Sequence, residues 1–164
     1  MNYVSINGIQ SPLYRRTPRV QNIAETAVPS VGTAENCSTY LLPTLASKAS
    51  STPNLTLLDV GAGSGTITAS LAKYMPAGHI TAIDISPEIL LSAASHASSV
   101  GVANITFQTE SVYSLPFPDS TFDIVHAHQI LCHLDSPVEA LTELLRVTKP
   151  DGGVVAVRET DMLL

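Results

Sequence analysis

Charge is scarce in this sequence. Only 13% of its 164 residues are Asp, Glu, Lys or Arg, against about 25% in a typical domain. So bare a surface implies marginal solubility or a partner that covers part of it. Positive charge is the scarcer sign, with 8 Lys and Arg against 14 Asp and Glu and a net charge of -6. No basic patch forms, which argues against a nucleic-acid partner. No apolar run reaches the roughly 20 residues of a membrane span. No basic-then-apolar signal segment opens the chain. There are two cysteines, Cys37 and Cys132, too few and too far apart for a zinc site. They read as free thiols in a reducing compartment, and a cytoplasmic location is expected. Internal repeats and low-complexity tracts are also missing.

What is present is length enough for one domain with a core. Residues 1–34 carry Pro, Ser and Thr without sustained periodicity and read as an N-terminal arm. Tyr14, Arg15 and Arg16 stand out within it. The domain proper runs over 35–164. Residues 35–49 turn helical, with Tyr40, Leu41, Leu42 and Leu45 apolar and Pro43 expected to kink the helix. A first strand is predicted over 55–60 and a helix from the following turn to about Tyr74. A second strand covers 79–84. Ser86-Pro87 opens a helix that Gly101 closes. A third strand covers 104–108, a fourth 122–126, a short helix 129–134, and Ser136-Pro137 starts another helix. A fifth strand covers 154–158. Strands alternating with helices predict an α/β fold with a parallel sheet, helices on both faces.

The sequence around 55–68 organises the rest: Leu-Thr-Leu-Leu-Asp-Val-Gly-Ala-Gly-Ser-Gly-Thr-Ile-Thr. A strand runs into Gly61, Gly63 and Gly65, and a helix follows. Such a turn lets a ligand approach the backbone, and the new helix start adds partial positive charge. The dinucleotide fingerprint is Gly-x-Gly-x-x-Gly; here the spacing is Gly-x-Gly-x-Gly. Asp59, two residues before the first glycine, is unwelcome beside a pyrophosphate and suits a ligand with a cationic amino group. In a doubly wound sheet, ligands bind beyond the carboxyl ends of the strands where strand order reverses. Residues 59–65, Asp84, 110–112 and 126–129 converge there. Asp84 can accept hydrogen bonds from both hydroxyls of a ribose. It also sits where a dinucleotide enzyme places its acid, and a solvated carboxylate remains the bland alternative.

The glycine turn with Asp59 resembles motif I of the class I S-adenosylmethionine-dependent methyltransferases. The second half resembles the type-11 group, which includes ubiquinone/menaquinone-biosynthesis-like enzymes. The matching pieces are Leu115-Pro116-Phe117-Pro118-Asp119, Phe122-Asp123, His133-Leu134, and Arg146-Val147 followed by Lys149-Pro150-x-Gly-Gly. The resemblance implies a Rossmann-like, doubly wound parallel sheet of order 3-2-1-4-5, and S-adenosyl-L-methionine as cofactor. Gly61, Ala62 and Gly63 would face its methionine part, with Asp59 fixing that region of the turn. Asp84 would bind the ribose and Ile85 pack on the adenine. Where relatives have Gly-Asp after strand three, this chain has Glu110-Ser111, so Glu110 would substitute or adenine recognition would weaken. Val112 would offer its backbone N–H to the ring. His128 and Gln129 would line the methionine end.

No catalytic residue is assigned. His126 and His128 share a strand face and His133 follows. They read as packing or hydrogen-bonding groups, with a general base at His128 or His133 as the alternative. No metal site is expected, since no acidic partner has forced spacing. Relatives continue after strand five with a helix and two strands that complete the sheet and help build the acceptor pocket. Those two strands are expected to be lacking here, and strand five to keep an unpaired apolar edge. Such an edge invites pairing with a second copy or another chain. Three functions stay open: methyl transfer to a small-molecule acceptor, an inactive cofactor-binding paralogue or accessory subunit, and a nicotinamide-dependent oxidoreductase, against which the glycine spacing and the second half argue.

Overall fold

Aliphatic side chains occupy both faces of the central strands, and helices cover the sheet on both sides. The structure is a computed structural model, and it describes residues 5–6, 9–10, 19–22 and 32–159, with side chains for 32–159. The strands are β1 (Ser5–Ile6), β2 (Ile9–Gln10), β3 (Arg19–Asn22), β4 (Thr56–Val60), β5 (His79–Asp84), β6 (Ile105–Thr109), β7 (Ile124–His128) and β8 (Val154–Arg158). The helices are α1 (Ala34–Cys37), α2 (Leu42–Ser51), α3 (Thr66–Ala72), α4 (Pro87–Ser99) and α5 (Pro137–Val147), with a 3-10 turn at Leu131–His133. The main sheet is parallel throughout, in the order β3-β8-β7-β4-β5-β6. From β6 to β8 this is the 3-2-1-4-5 order expected. β1 and β2 form a separate antiparallel pair.

The two-residue period of a strand divides the core in two. Leu57, Ile80, Ile124, Val154 and Ala156 face Leu45 of α2 and Leu71 of α3. Leu58, Val60, Val125, Val155 and Val157 face Ala140, Leu144 and Val147 of α5. Strands buried on both faces read as continuous apolar runs, as 154–157 does.

Several expectations need correction. β8 does not keep an open edge: β3 pairs with it in parallel, Arg19 opposite Val154 and Asn22 opposite Val157. A row of unsatisfied backbone groups takes a strand that can reach it, here one from the same chain. Tyr14, Arg15 and Arg16 lie outside the described residues, as do Asp161, Met162, Leu163 and Leu164. The helix predicted over 35–49 is two helices. Pro43 sits in the first turn of α2, where its missing N–H costs nothing, and the chain breaks before it. The fourth strand begins at Ile124, two residues later than expected. Phe122 makes only an isolated bridge to Thr148. Asp123 turns its carboxylate to the Thr56 N–H (2.9 Å) and hydroxyl (2.8 Å) and to Lys149 Nζ (2.7 Å). Burial pushes Asp123 up, but the bonds from Lys149 and Thr56 outweigh it and hold its carboxyl below the usual range. Ser86 caps α4 through the Ile89 N–H (3.3 Å). Ser136 makes no side-chain cap on α5; its N–H donates to Tyr113 Oη instead (3.1 Å).

Two contacts set α3 in place. Gly65, at φ +74°, lies where a Cβ would come within 2.7 Å of Ala93 Cβ and 3.0 Å of Ala93 Cα. That close approach packs α3 against α4. On the other side, the exposed Glu35 carboxylate accepts from Ser70 Oγ (2.7 Å) and Tyr74 Oη (2.9 Å). These bonds, the Ser70 hydroxyl first, hold Glu35 at about 2 against an ordinary 4.5.

Gly65→Ala should destabilise the protein by at least about 1–3 kcal/mol through overpacking, read as a lower urea midpoint. Glu35 has a depressed folded pKa, so its contribution is full above its unfolded value and lost as pH falls from 4.5 to about 2. Urea midpoints of wild type and Glu35→Gln should therefore differ at neutral pH and converge across that acid window.

Candidate functional site

Beyond the carboxyl ends of β4, β5 and β6 lies a cavity of about 350 Å³. Its walls are Val60, Gly61, Ile83, Asp84, Ile85, Glu110, Ser111, Val112, Tyr113, Ile130, His133 and Leu134. Six residues chosen from sequence are among them: Gly61, Asp84, Ile85, Glu110, Ser111 and Val112. Ile85 is 76% exposed, an unusual state for a large apolar side chain at a cavity wall.

The turn after β4 is fixed by its neighbour strand. Gly61 and Ala62 both donate to the Ile83 carbonyl (2.9 Å each). Gly63 donates to Asp84 Oδ2 (3.0 Å), and Ser86 donates to Asp84 Oδ1 (3.1 Å). Each Asp84 oxygen thus spends one acceptor position on the backbone and keeps one for a ligand. Gly61 lies at φ +70°, and a Cβ there would collide with Ile130 Cγ2. Its missing side chain makes room for Ile130 as well as for the turn.

Asp59 lies beneath the turn, 3% exposed. Its carboxylate accepts from Thr68 Oγ1 (2.5 Å) and His126 Nδ1 (2.7 Å). Asp59 and His126 are paired in register on β4 and β7. His126 Nε2 lies 3.0 Å from Ser38 Oγ. With Nδ1 turned to the carboxylate, Nε2 is the ring atom left to pair with the Ser38 hydroxyl. Ser38–His126–Asp59 therefore has the connectivity of a nucleophilic triad. Ser38 and His126 are fully buried, so no substrate reaches them, and the three tie α1, β4 and β7 together.

His128 stacks on His126, with ring centroids 6.4 Å apart. Burial, then His126 and the Arg158 guanidinium, hold it down at about 4, so it is neutral at pH 7. Its Nδ1 and the Tyr40 hydroxyl are buried without a hydrogen-bond partner among the described residues. Burial first, then the Asp59 charge, pushes the Tyr40 phenol up. His128 and Gln129 sit at the end of β7 beside the cavity but are not among its walls, and neither are Ala62 and Gly63. Sequence reasoning missed Val60, Ile83, Tyr113, Ile130 and Leu134 as wall residues. The signal available was apolar character at strand ends and in the segment after β7. His133, held open as a base, does line the cavity.

The second-half motif is bound to itself. Arg146 donates to the Leu115 carbonyl (3.0 Å), the Phe117 carbonyl (2.8 Å), Asp119 Oδ1 (2.9 Å) and Glu143 Oε1 (2.8 Å). Lys149 joins Asp123 as described. No group of three or more potential metal ligands occurs among the described residues.

The family model for the methyltransferase domain of type 11 matches residues 58–156. The chain belongs to this methyltransferase family. It is 44% identical over 137 residues to an uncharacterized methyltransferase of Schizosaccharomyces pombe, covering 80% of this chain and 47% of that protein. It is 32% identical over 101 residues to the ubiquinone/menaquinone biosynthesis C-methyltransferase UbiE of Bdellovibrio bacteriovorus, covering 62% of this chain and 43% of that one. Among solved structures, a SAM-dependent methyltransferase from Aquifex aeolicus superposes with TM-score 0.57 at 28% identity, covering 66% and 58% of the two chains. The [4+2]-cyclase SpnF superposes with TM-score 0.64 at 32% identity, covering 77% and 46%. The chain spans less than half the length of the first curated relatives it matches. The fold is the Rossmann-like fold of the S-adenosylmethionine-dependent methyltransferases. No helix among the described residues is long and apolar enough to cross a membrane.

If the buried triad is structural, a fluorophosphonate reagent should leave Ser38 unlabelled in the folded protein. His126→Phe should cost at least about 1–3 kcal/mol in urea unfolding, because it leaves the buried Asp59 Oδ1 without its partner.

Proposed function

We propose that this chain binds S-adenosylmethionine in the cavity at the ends of β4, β5 and β6 and transfers its methyl group to a small-molecule acceptor. The observation that carries the reading is Asp84. Its two oxygens are fixed by Gly63 and Ser86, and each keeps an acceptor position for one of two neighbouring ribose hydroxyls. The surroundings fit the rest of the molecule. Ile85 offers an exposed apolar face to a flat ring, with Ile83 and Val112 in the same cavity wall. Ser111 and Glu110 stand where relatives carry Gly-Asp and supply the polar atoms for the ring edge. Gly61, Ala62 and Gly63 give the amino-acid end of the cofactor access to the backbone, with Asp59 anchoring the turn from below. His128 and Gln129 belong to that same end.

When bound, the cofactor supplies an electrophilic methyl on a sulfonium. The chain's part is to hold the two reactants in line, which alone can lower a barrier by about 7–11 kcal/mol. Ile130 and Leu134 give the cavity wall an apolar surface. An acceptor that loses a proton on methylation needs a base, and His133 faces the cavity. His128, held at about 4, is a weak base. A cytoplasmic location is part of this reading, with no membrane, metal or nucleic acid required. The accessory-subunit alternative relied on a free edge at β8, which β3 occupies; association would use the outer edge of β3.

The fold also hosts a [4+2]-cyclase, so binding and turnover are read separately. Calorimetric titration of the 164-residue chain with S-adenosylhomocysteine should show binding, with NADH as a silent control. Asp84→Ala should weaken it by about 100-fold, the worth of two hydrogen bonds to a charged group. No binding by folded wild type would overturn the cofactor reading; unchanged affinity of Asp84→Ala would overturn the ribose assignment. Methyl transfer from labelled cofactor to candidate acceptors decides between enzyme and inactive paralogue.

A further inference from the structure

One wall of the cavity has no regular secondary structure of its own beyond a single 3-10 turn. The segment 130–134 supplies Ile130, His133 and Leu134 to the cavity. Its internal backbone bonds are two, His133 N–H to the Ile130 carbonyl (3.0 Å) and Leu134 N–H to the Leu131 carbonyl (3.2 Å). It leaves β7 through Gln129 at φ +53°, a left-handed conformation that persists in a non-glycine residue only where neighbours enforce it. Three consecutive N–H groups at its start point one way, and one side chain fills them. Glu159 Oε1 accepts from Ile130 (3.1 Å) and Leu131 (2.9 Å), and Oε2 accepts from Cys132 (3.3 Å). Successive N–H groups of this kind form a concave site for an anion. Here the anion is built in, one residue past β8. Gln129 N–H donates to the Arg158 carbonyl (2.7 Å), so the same strand end holds the segment twice. At its far end, Tyr113, itself a wall residue, takes the Ser136 N–H.

We propose that Glu159 is a positioning residue for the ligand cavity: it sets ligand affinity by holding the 130–134 segment down as a wall, through Ile130 against Gly61. The inference rests on the cofactor reading above for the identity of the ligand and not for the geometry. Without the carboxylate, three N–H groups lose their acceptor. The segment that follows the left-handed Gln129 junction then loses its clamp, and Ile130 is free to leave Gly61. The cavity keeps its floor, Asp84 and Ile85, but loses its cover.

The test uses Glu159→Ala and Glu159→Gln in the 164-residue chain, titrated with S-adenosylhomocysteine. Glu159→Ala should weaken binding by about tenfold, the worth of one or more charge-assisted hydrogen bonds. Glu159→Gln, which keeps one acceptor oxygen, should weaken it less. Added formate should restore part of the affinity of Glu159→Ala by entering the vacated N–H site, and should leave wild type unchanged. Amide hydrogen exchange supplies a readout independent of ligand: Ile130, Leu131 and Cys132 should exchange faster in Glu159→Ala, while β4 and β5 amides keep their protection. If wild type binds the ligand and both variants bind within twofold of it, the inference fails and the cofactor reading stands. If wild type does not bind, the cofactor reading fails. Unchanged exchange at 130–132 in Glu159→Ala overturns the positioning role in either case. If Glu159→Ala does not fold, Glu159→Gln carries both measurements.

Discussion

The carboxylate of Asp59 is the constraint on which the rest of the structure depends. It is buried at the point where β4 ends and the glycine turn begins. A buried carboxylate is costly unless its lone pairs are met, and here each partner comes from a different element. Thr68 brings α3, and His126 brings β7. Through His126 the network extends to Ser38, which places the break between α1 and α2 over the sheet. Satisfying the carboxylate ties these elements together, and that holds the turn above it in shape. The ligand cavity inherits that shape without Asp59 facing it.

The motif residues by which the second half resembles its family have a similar character. Arg146 spans the Leu115 and Phe117 carbonyls and Asp119, which pins a loop with two prolines to α5. Lys149 pairs with Asp123, and Asp123 also holds the start of β4 at Thr56. This second cluster lies at the amino ends of β4 and β7, opposite the cavity. A charged group half removed from water needs a fixed partner, so such residues are tightly specified by the fold alone. They identify the family and leave the ligand unspecified.

Much of the architecture was legible because its signals are local. Val154-Val155-Ala156-Val157 can only be a strand buried on both faces, and Ser86-Pro87 and Pro137 mark helix starts by backbone chemistry. The strand order followed from the resemblance. Six cavity walls were legible: Gly61, Asp84 and 110–112 because they follow strand ends of a doubly wound sheet, and Ile85 through the resemblance. What was not legible depends on long-range partners. No local pattern says that Arg19–Asn22 reaches the edge of β8, because that pairing spans the whole domain in sequence. The late start of β7 reflects an engagement of Asp123 with residues 67 and 26 positions away. Glu159 gave no signal at all, since its partners are backbone N–H groups, which carry no sequence identity.

This division explains why the chain speaks clearly about its cofactor class and hardly at all about an acceptor. The glycine-turn side of the cavity is made from backbone geometry and one carboxylate: the Gly61 and Ala62 N–H groups held on the Ile83 carbonyl, and Asp84 held by Gly63 and Ser86. Those constraints recur wherever the fold recurs, so they are readable from motif spacing. The opposite wall is made from Tyr113, Ile130, His133 and Leu134, side chains on segments outside the regular elements. Their placement is set by Glu159 and by the contact between Tyr113 and Ser136, and neither constrains which side chains the wall presents. Residues at 113, 130, 133 and 134 can therefore change without disturbing the scaffold, and a surface free to vary in that way is where a fold of this kind can alter what it admits.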